Sequence, residues 1–237
     1  MKIYNEKILL VESDYPTRQI IVTRLKILGY KVFVAGDGQS ALLSFKKEVP
    51  DLVILDVVLS KLDGYEVCRK IRAISQVPII LLTVIGRLSD RLTALELGAD
   101  DYIVKPLSPK ELEAKINIFL KKFNTRTQTI PKKKWEILYI GDLIVDTKKK
   151  QILKDSVELN LTVIEFSILE FFLKNLGKEL SRMTILDNIW GYTPERIVDT
   201  RIIDVNISRL RSKIESDLTN PALILTIRGT GYMFKAP

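Results

Sequence analysis

Histidine is absent from this chain of 237 residues, and cysteine occurs once, at Cys68. Without histidine there is no Ser-His-Asp catalysis, no His-ligated metal centre and no His phosphodonor within the chain. One cysteine excludes an internal disulfide framework and suits a reducing compartment. In its setting, YEVCRKI, it reads as a buried or half-buried helix position. No apolar run approaches the ~18 residues of a membrane-spanning helix, so no membrane partner is expected. The opening MKIYNEKILLVESD turns acidic at once and lacks a signal-peptide or transit pattern. The protein is therefore expected to stay in the compartment where it is made. No glycine-rich phosphate loop follows the first apolar run, which counts against an enzyme on a doubly wound sheet.

What is present is ample for packed cores. Hydrophobic residues make up 46% and charged residues 28%, a composition that suits soluble domains. The length suits one large domain or two small ones. Net charge is +8, which favours an anionic partner, but the excess divides about equally between the two halves. Charge alone does not say which half meets that partner.

The first half alternates apolar runs with amphipathic helical stretches. The runs are KILLV (7–11), KVFVA (31–35), DLVILD (51–56), PIILLT (78–83) and DYIVK (101–105), and the helical patterns lie near 15–28, 38–48, 64–73, 87–97 and 108–122. Continuous apolar runs mark strands buried on both faces. The pattern predicts an α/β domain over 1–123, a doubly wound, flavodoxin-like sheet of five parallel strands. Residues 124–135, NTRTQTIPKKKW, are polar and basic and read as a linker. The remaining segment, 136–237, changes character. Short alternating strands near 137–160 precede helical patterns at 162–175, 182–190 and about 197–215, and 223–237 reads as a closing hairpin with Arg228, Gly229, Thr230 and Gly231 at its turn.

In open parallel sheets, ligands sit outside the carboxyl ends of the strands. Here those ends carry Glu12 with Ser13 and Asp14, then Asp56, Thr83 and Lys105. A carboxylate there can attack a phosphoryl group, and a lysine and a hydroxyl can hold the product. A hard divalent cation with oxygen ligands would offset charge repulsion during transfer. Each residue alone is commonplace; the ordered set is specific.

These residues, with DGYEVC (63–68), LGADDYIVKP (97–106) and GTGYMF (229–234), resemble the OmpR/PhoB family of response regulators over nearly the whole chain. KLDGYEVC, LELGADDY, GYTPERIVDTR and NPALILTIRGTGY carry a finer likeness to the type encoded by cyanobacteria and red-algal plastids. The resemblance implies a receiver domain followed by an α+β winged helix-turn-helix. It implies that Asp56 is the phosphoacceptor and that Thr83, Tyr102 and Lys105 form the switch and phosphate-binding set. It also implies Mg2+ held by Glu12, Asp56 and the Val58 carbonyl. Three positions depart from the family. Ser13 stands where a metal-binding acid is usual, which predicts weak Mg2+ affinity. Ser60 replaces a proline, and Val84 replaces a small residue.

The third helix of the second half carries Ile203, Ile207, Leu210 and Ile214 at core spacing. The opposite face presents Arg201, Val205, Ser208, Arg209 and Ser212, with Val198 and Ile202 near its edges. Arginines and aliphatic side chains on one face suit a DNA major groove. Arg228 at the hairpin tip suits a minor groove. By the resemblance, Arg201, Arg209, Arg211, Thr226 and Arg228 contact DNA, and Asn206 stands where histidine is frequent; Arg209, in the middle of the outward face, is expected to read a base, and Arg211, toward its flank, to contact phosphate. The family also implies direct-repeat duplex DNA, a sensor histidine kinase and RNA polymerase as partners. It implies an active homodimer in which Arg91 meets Glu111, Asp100 meets Lys115 and Asp101 meets Lys122 across subunits. A second reading stays open: a phosphorylation-independent DNA-binding regulator whose receiver serves for dimerisation or docking. Abundant lysine and isoleucine suit an AT-rich genome, which favours a plastid stroma over a bacterial cytoplasm.

Overall fold

The computed structural model describes residues 5–84, 95–124, 137–191 and 200–235. The chain divides into two compact units, Met1–Phe123 and Asn124–Pro237. Among the described residues, no helix is long and apolar enough to cross a membrane.

The first unit runs β1 (Lys7–Val11), α1 (Tyr15–Ile27), β2 (Lys31–Ala35), α2 (Gly38–Glu48), β3 (Leu52–Asp56), α3 (Gly64–Arg72), β4 (Ile79–Thr83), β5 (Asp101–Val104) and α4 (Pro109–Asn124). The five strands form one parallel sheet in the order β2-β1-β3-β4-β5. Every residue of β3 and β4 is buried, which explains their unbroken apolar sequences. The strand order reverses between β1 and β3, so the ligand crevice opens at their carboxyl ends. The first three helices start on aspartates. Asp14, Asp37 and Asp63 each accept a backbone N–H from the first turn. Asp14 is thereby committed to Thr17 N, 2.9 Å away, as a helix cap. The helical pattern expected at 87–97 falls largely outside the described residues, which resume at Leu95.

The second unit begins with an antiparallel sheet of β6 (Ile137–Ile140), β7 (Leu143–Asp146), β8 (Gln151–Lys154) and β9 (Val157–Glu158). It continues through α5 (Val163–Lys174), β10 (Leu180–Ser181), α6 (Arg182–Trp190), α7 (Arg201–Ile214), β11 (Ile224–Ile227) and β12 (Gly231–Phe234). A capping box at Thr162 and Glu165 starts α5. Ile164, Ile168, Phe172, Ile185, Ile189, Ile203, Ile207 and Phe234 build the buried centre. The short strand β10 was not anticipated from the sequence. It pairs with β12, which lies between β10 and β11. Gly231 permits that pairing, because a Cβ there would stand 2.2 Å from the Leu180 carbonyl oxygen.

Candidate phosphoacceptor site and nucleic-acid interface

Three strand ends of the first unit converge on one ammonium group. Lys105, just past β5, donates to Glu12 Oε2 at 2.8 Å and to Asp56 Oδ2 at 2.9 Å. Glu12 is fully buried, and Asp56 and Thr83 nearly so. Lys105 N donates to the Thr83 carbonyl at 2.7 Å, which ties the two strand ends together. Asp56 Oδ1 accepts the Val58 amide at 3.3 Å. Gly64 lets α3 start against this point, since a Cβ there would lie 2.1 Å from the Asp56 carbonyl oxygen. Tyr102 on β5 is half-buried against the sheet core, and Val84 beyond Thr83 is 57% exposed.

The charges hold one another in place. Burial pushes the Glu12 carboxyl above its ordinary range, and the Asp56 charge adds to that push against the pull of Lys105 and the Asp14 amide. Burial alone would lower the Lys105 ammonium. Its hydrogen bonds to Glu12 and Asp56, with their charges, outweigh burial and hold it above its usual value.

Glu12, Asp56 and the Val58 carbonyl are hard oxygen donors, the kind that holds Mg2+ when substrate phosphate and water complete the shell. Among the described residues, no group of three or more carboxylate, thiol or imidazole side chains forms a metal cluster. Ser13 does not replace the missing acid. Its hydroxyl donates to the Val58 carbonyl at 3.1 Å and so competes for one of the donors. Asp14 is occupied as a cap. The donor set fits a weakly held, largely hydrated cation. Ser13→Asp is expected to tighten Mg2+ by about tenfold, since it adds a hard ligand and frees the Val58 carbonyl. Calorimetric titration of the two proteins tests this, and equal affinities would refute it.

The acidic residues expected at a subunit interface are engaged within the single protomer. Asp100 is 0% exposed and accepts from Arg72 Nη2 at 2.6 Å and from Ile79 N at 2.9 Å. Within the protomer it lies in the core. Lys115 is instead ion-paired with Asp101 inside the same protomer, both nearly buried. Glu111 and Lys122 are partly exposed on α4, and Arg91 lies outside the described residues.

In the second unit, α7 turns Arg201, Ser208 and Ser212 to solvent, with Val205 half-buried beside them. Ile202, expected near the edge of that face, is buried, as is Asn206, whose amide donates to the Ile202 carbonyl at 2.8 Å. Asn206 is thus a buried residue of the helix and not part of its exposed face. Val198 lies outside the described residues.

Arg209 does not stand free at the middle of the face. Its side chain is 16% exposed, and Nη2 is 3.2 Å from Glu165 Oε1. Arg211 is likewise not a free phosphate contact on the flank. It donates through Nε and Nη2 to the Ile224 carbonyl at 3.1 and 2.6 Å, and through Nη2 to Thr226 Oγ1 at 2.8 Å. Its guanidinium also lies over the Tyr232 ring at 5.6 Å. The Tyr232 hydroxyl donates to Asp204 Oδ1 at 2.6 Å, and Arg182 Nε donates to the same oxygen at 2.7 Å. Burial, then the Asp204 bond, pushes the Tyr232 hydroxyl up to about 12. These contacts lock the β11–β12 hairpin onto α7 and leave Thr226 and Arg228 exposed along it. Sequence reasoning missed Glu165, Asp204, Glu215 and Tyr232 as the frame of this surface. For Glu165 a signal was available: Thr162 and Glu165 stand at capping-box spacing before an apolar run.

A parallel five-stranded unit with a lysine-bridged acid pair at its switch point, and a helical unit closed by a wing, define a two-domain regulator with a receiver and a DNA-binding module. Residues 8–117 match the response regulator receiver domain, and residues 156–234 match the C-terminal domain of transcriptional regulatory proteins. The chain belongs to the OmpR/PhoB family of transcriptional response regulators. It is 52% identical to the ycf27 protein of Pyropia yezoensis, described as a probable transcriptional regulator, over 99% of this chain and 97% of that one. It is 36% identical to the DNA-binding response regulator MtrA of Mycolicibacterium smegmatis over the full length of both. Among solved structures it is similar to DrrB, a Thermotoga maritima OmpR/PhoB homologue, at 32% identity and a TM-score of 0.51, covering 98% of this chain and 100% of that one.

Proposed function

We propose that this regulator is switched by phosphoryl transfer to Asp56 from a sensor histidine kinase. One observation carries the reading: Lys105 bridges Glu12 and Asp56 at the switch point of the sheet. An Asp56 oxygen attacks phosphorus on the kinase's phosphoimidazole. The new P–O bond replaces the P–N bond, and the leaving imidazole nitrogen keeps the electron pair. Lys105 then exchanges Asp56 Oδ2 for a phosphoryl oxygen and pairs with it as a point charge. Thr83 and Tyr102 register the change. Mg2+, held weakly by Glu12, Asp56 and the Val58 carbonyl, supplies charge neutralisation when bound.

The phosphorylated protein pairs as a homodimer through a face that includes Glu111, Lys122 and Arg91. It binds direct repeats about 10–11 bp apart, which sets both α7 helices on one side of the duplex. Arg201, Arg209, Thr226 and Arg228 face DNA, Arg211 holds the wing for them, and RNA polymerase receives the output. The plastid stroma is the proposed compartment, supported by the ycf27 relatives from algae such as Pyropia yezoensis and Porphyra purpurea.

Phosphoramidate labelling followed by intact mass tests the switch. One phosphoryl group is expected on the wild type and none on Asp56→Asn, with affinity for the repeats raised only in the labelled protein. The Ser13–Val58 bond favours the second reading, a receiver that docks without phosphorylation. An unlabelled wild type that still binds the repeats tightly would establish that reading instead.

A further inference from the structure

We infer that Asp37 and Lys61 are positioning residues for the metal site: their ion pair clamps the loop between β3 and α3 to the start of α2 and so sets the aim of the Val58 carbonyl. The inference rests on the reading of that carbonyl as a Mg2+ ligand. Asp37 caps α2 with Oδ1, which accepts the Gln39 amide at 3.1 Å and the Ser40 amide at 3.0 Å. Its other oxygen, Oδ2, accepts Lys61 Nζ at 2.9 Å. The Lys61 bond, then the Ser40 amide, holds the Asp37 carboxyl down to about 2, so Asp37 stays charged at neutral pH.

The loop also meets α2 along its backbone. Gly38 N donates to the Ser60 carbonyl at 3.3 Å, and a Cβ on Gly38 would stand 2.1 Å from the Leu62 carbonyl oxygen. The Ser60 carbonyl accepts the Leu62 amide as well, at 2.8 Å, which folds the loop tightly around Lys61 at φ 65°. Leu59 and Leu62 rest on the receiver core, so the turn through Ser60 and Lys61 stands between apolar anchors. A proline at 60 would fix φ there; a serine does not, and the hold comes from neighbours. On the α1 side that hold is the Ser13 hydroxyl, which donates to the Val58 carbonyl itself at 3.1 Å. A cation drawing on the same carbonyl weakens that bond, and the α2 side then carries more of the loop. Apparent affinity scales with the fraction of the protein whose loop already has the binding shape, and the clamp raises that fraction.

Calorimetric Mg2+ titration of the full chain at fixed salt tests the inference. Lys61→Met keeps the stem and loses the ion pair. Asp37→Asn loses the pair and keeps the cap, since asparagine caps a helix as well as aspartate does. Charge acting through space gives opposite signs: losing the cation tightens Mg2+, and losing the anion loosens it. Positioning gives the same sign for both. Each variant is expected to bind Mg2+ about threefold more weakly, the scale an exposed pair allows. The double variant should be no weaker than Asp37→Asn, and Lys61→Arg should match the wild type. Urea unfolding midpoints should move little in all of them. A tighter site in Lys61→Met, unchanged affinity in both single variants, or losses that multiply in the double variant would overturn the inference. A wild type that takes up no Mg2+ refutes the ligand reading itself, and the role of the pair with it.

Discussion

Replacing Arg72 with methionine is expected to destabilise the first unit by about 3–5 kcal/mol. The methionine keeps much of the apolar stem, so the loss isolates the guanidinium. That group donates to the Gly98 carbonyl at 2.8 Å and the Val77 carbonyl at 2.9 Å, and to Asp100 at 2.6 Å. Asp100 is the larger liability. Its Oδ1 already has no hydrogen-bond partner, and without Arg72 its charge would be buried and uncompensated. The damage falls on the turn that feeds β5, and through β5 on Lys105. Urea unfolding of the full chain, followed by far-UV dichroism, measures the shift in midpoint. Adding Asp100→Asn should recover a large part, because the neutral amide removes the stranded charge. A single-variant loss under about 1 kcal/mol would mean that water reaches Asp100 and that the pair is a surface one.

The second large effect is expected at Glu215, just past the end of α7. Its carboxylate accepts from Ala222 N at 2.9 Å, from Leu223 N at 3.0 and 3.1 Å, and from Ile224 N at 2.8 Å. Three successive amides thus converge on one side chain, and they lead directly into the wing. Glu215→Ala leaves those donors without an acceptor and should cost about 2–4 kcal/mol of the second unit's stability. Bonds to a charged acceptor are the strong kind, so Glu215→Gln should recover only part. The functional reading is sharper than the thermal one. Arg228 rides on this hairpin, so affinity for sites with AT-rich flanks should fall more than affinity for other duplex. Equal losses on both duplexes would show that Arg228 makes no minor-groove contact.

The receiver fold was legible because burial on both faces writes itself as unbroken apolar runs, as in LVILD and IILLT. The strand ends were legible with it, since Glu12, Asp56, Thr83 and Lys105 all follow such runs directly. The acid pairs were not. Arg72 and Asp100 are separated by 28 positions, and a carboxylate in LGADDY looks as exposed as any other until the turn that buries it is built. The same limit applied to α7. Helical spacing correctly assigned Ile203, Ile207, Leu210 and Ile214 to the core. It placed Arg209 outward as well, because periodicity on one helix knows nothing of a carboxylate on another. β10 escaped because two residues carry no alternation to read.

The position of β12 has a consequence for how the protein is made. This strand is the last in the sequence, yet it is the middle one of its sheet. Until residues 231–234 have been synthesised, β10 and β11 have no shared neighbour, and Asp204 has no Tyr232 hydroxyl to receive. The receiver's final strand, by contrast, ends at Val104, less than halfway along the chain. A growing polypeptide therefore holds all five receiver strands long before it can read DNA. A chain broken off early would keep the receiver strands and lack the strand that completes the sheet of the wing.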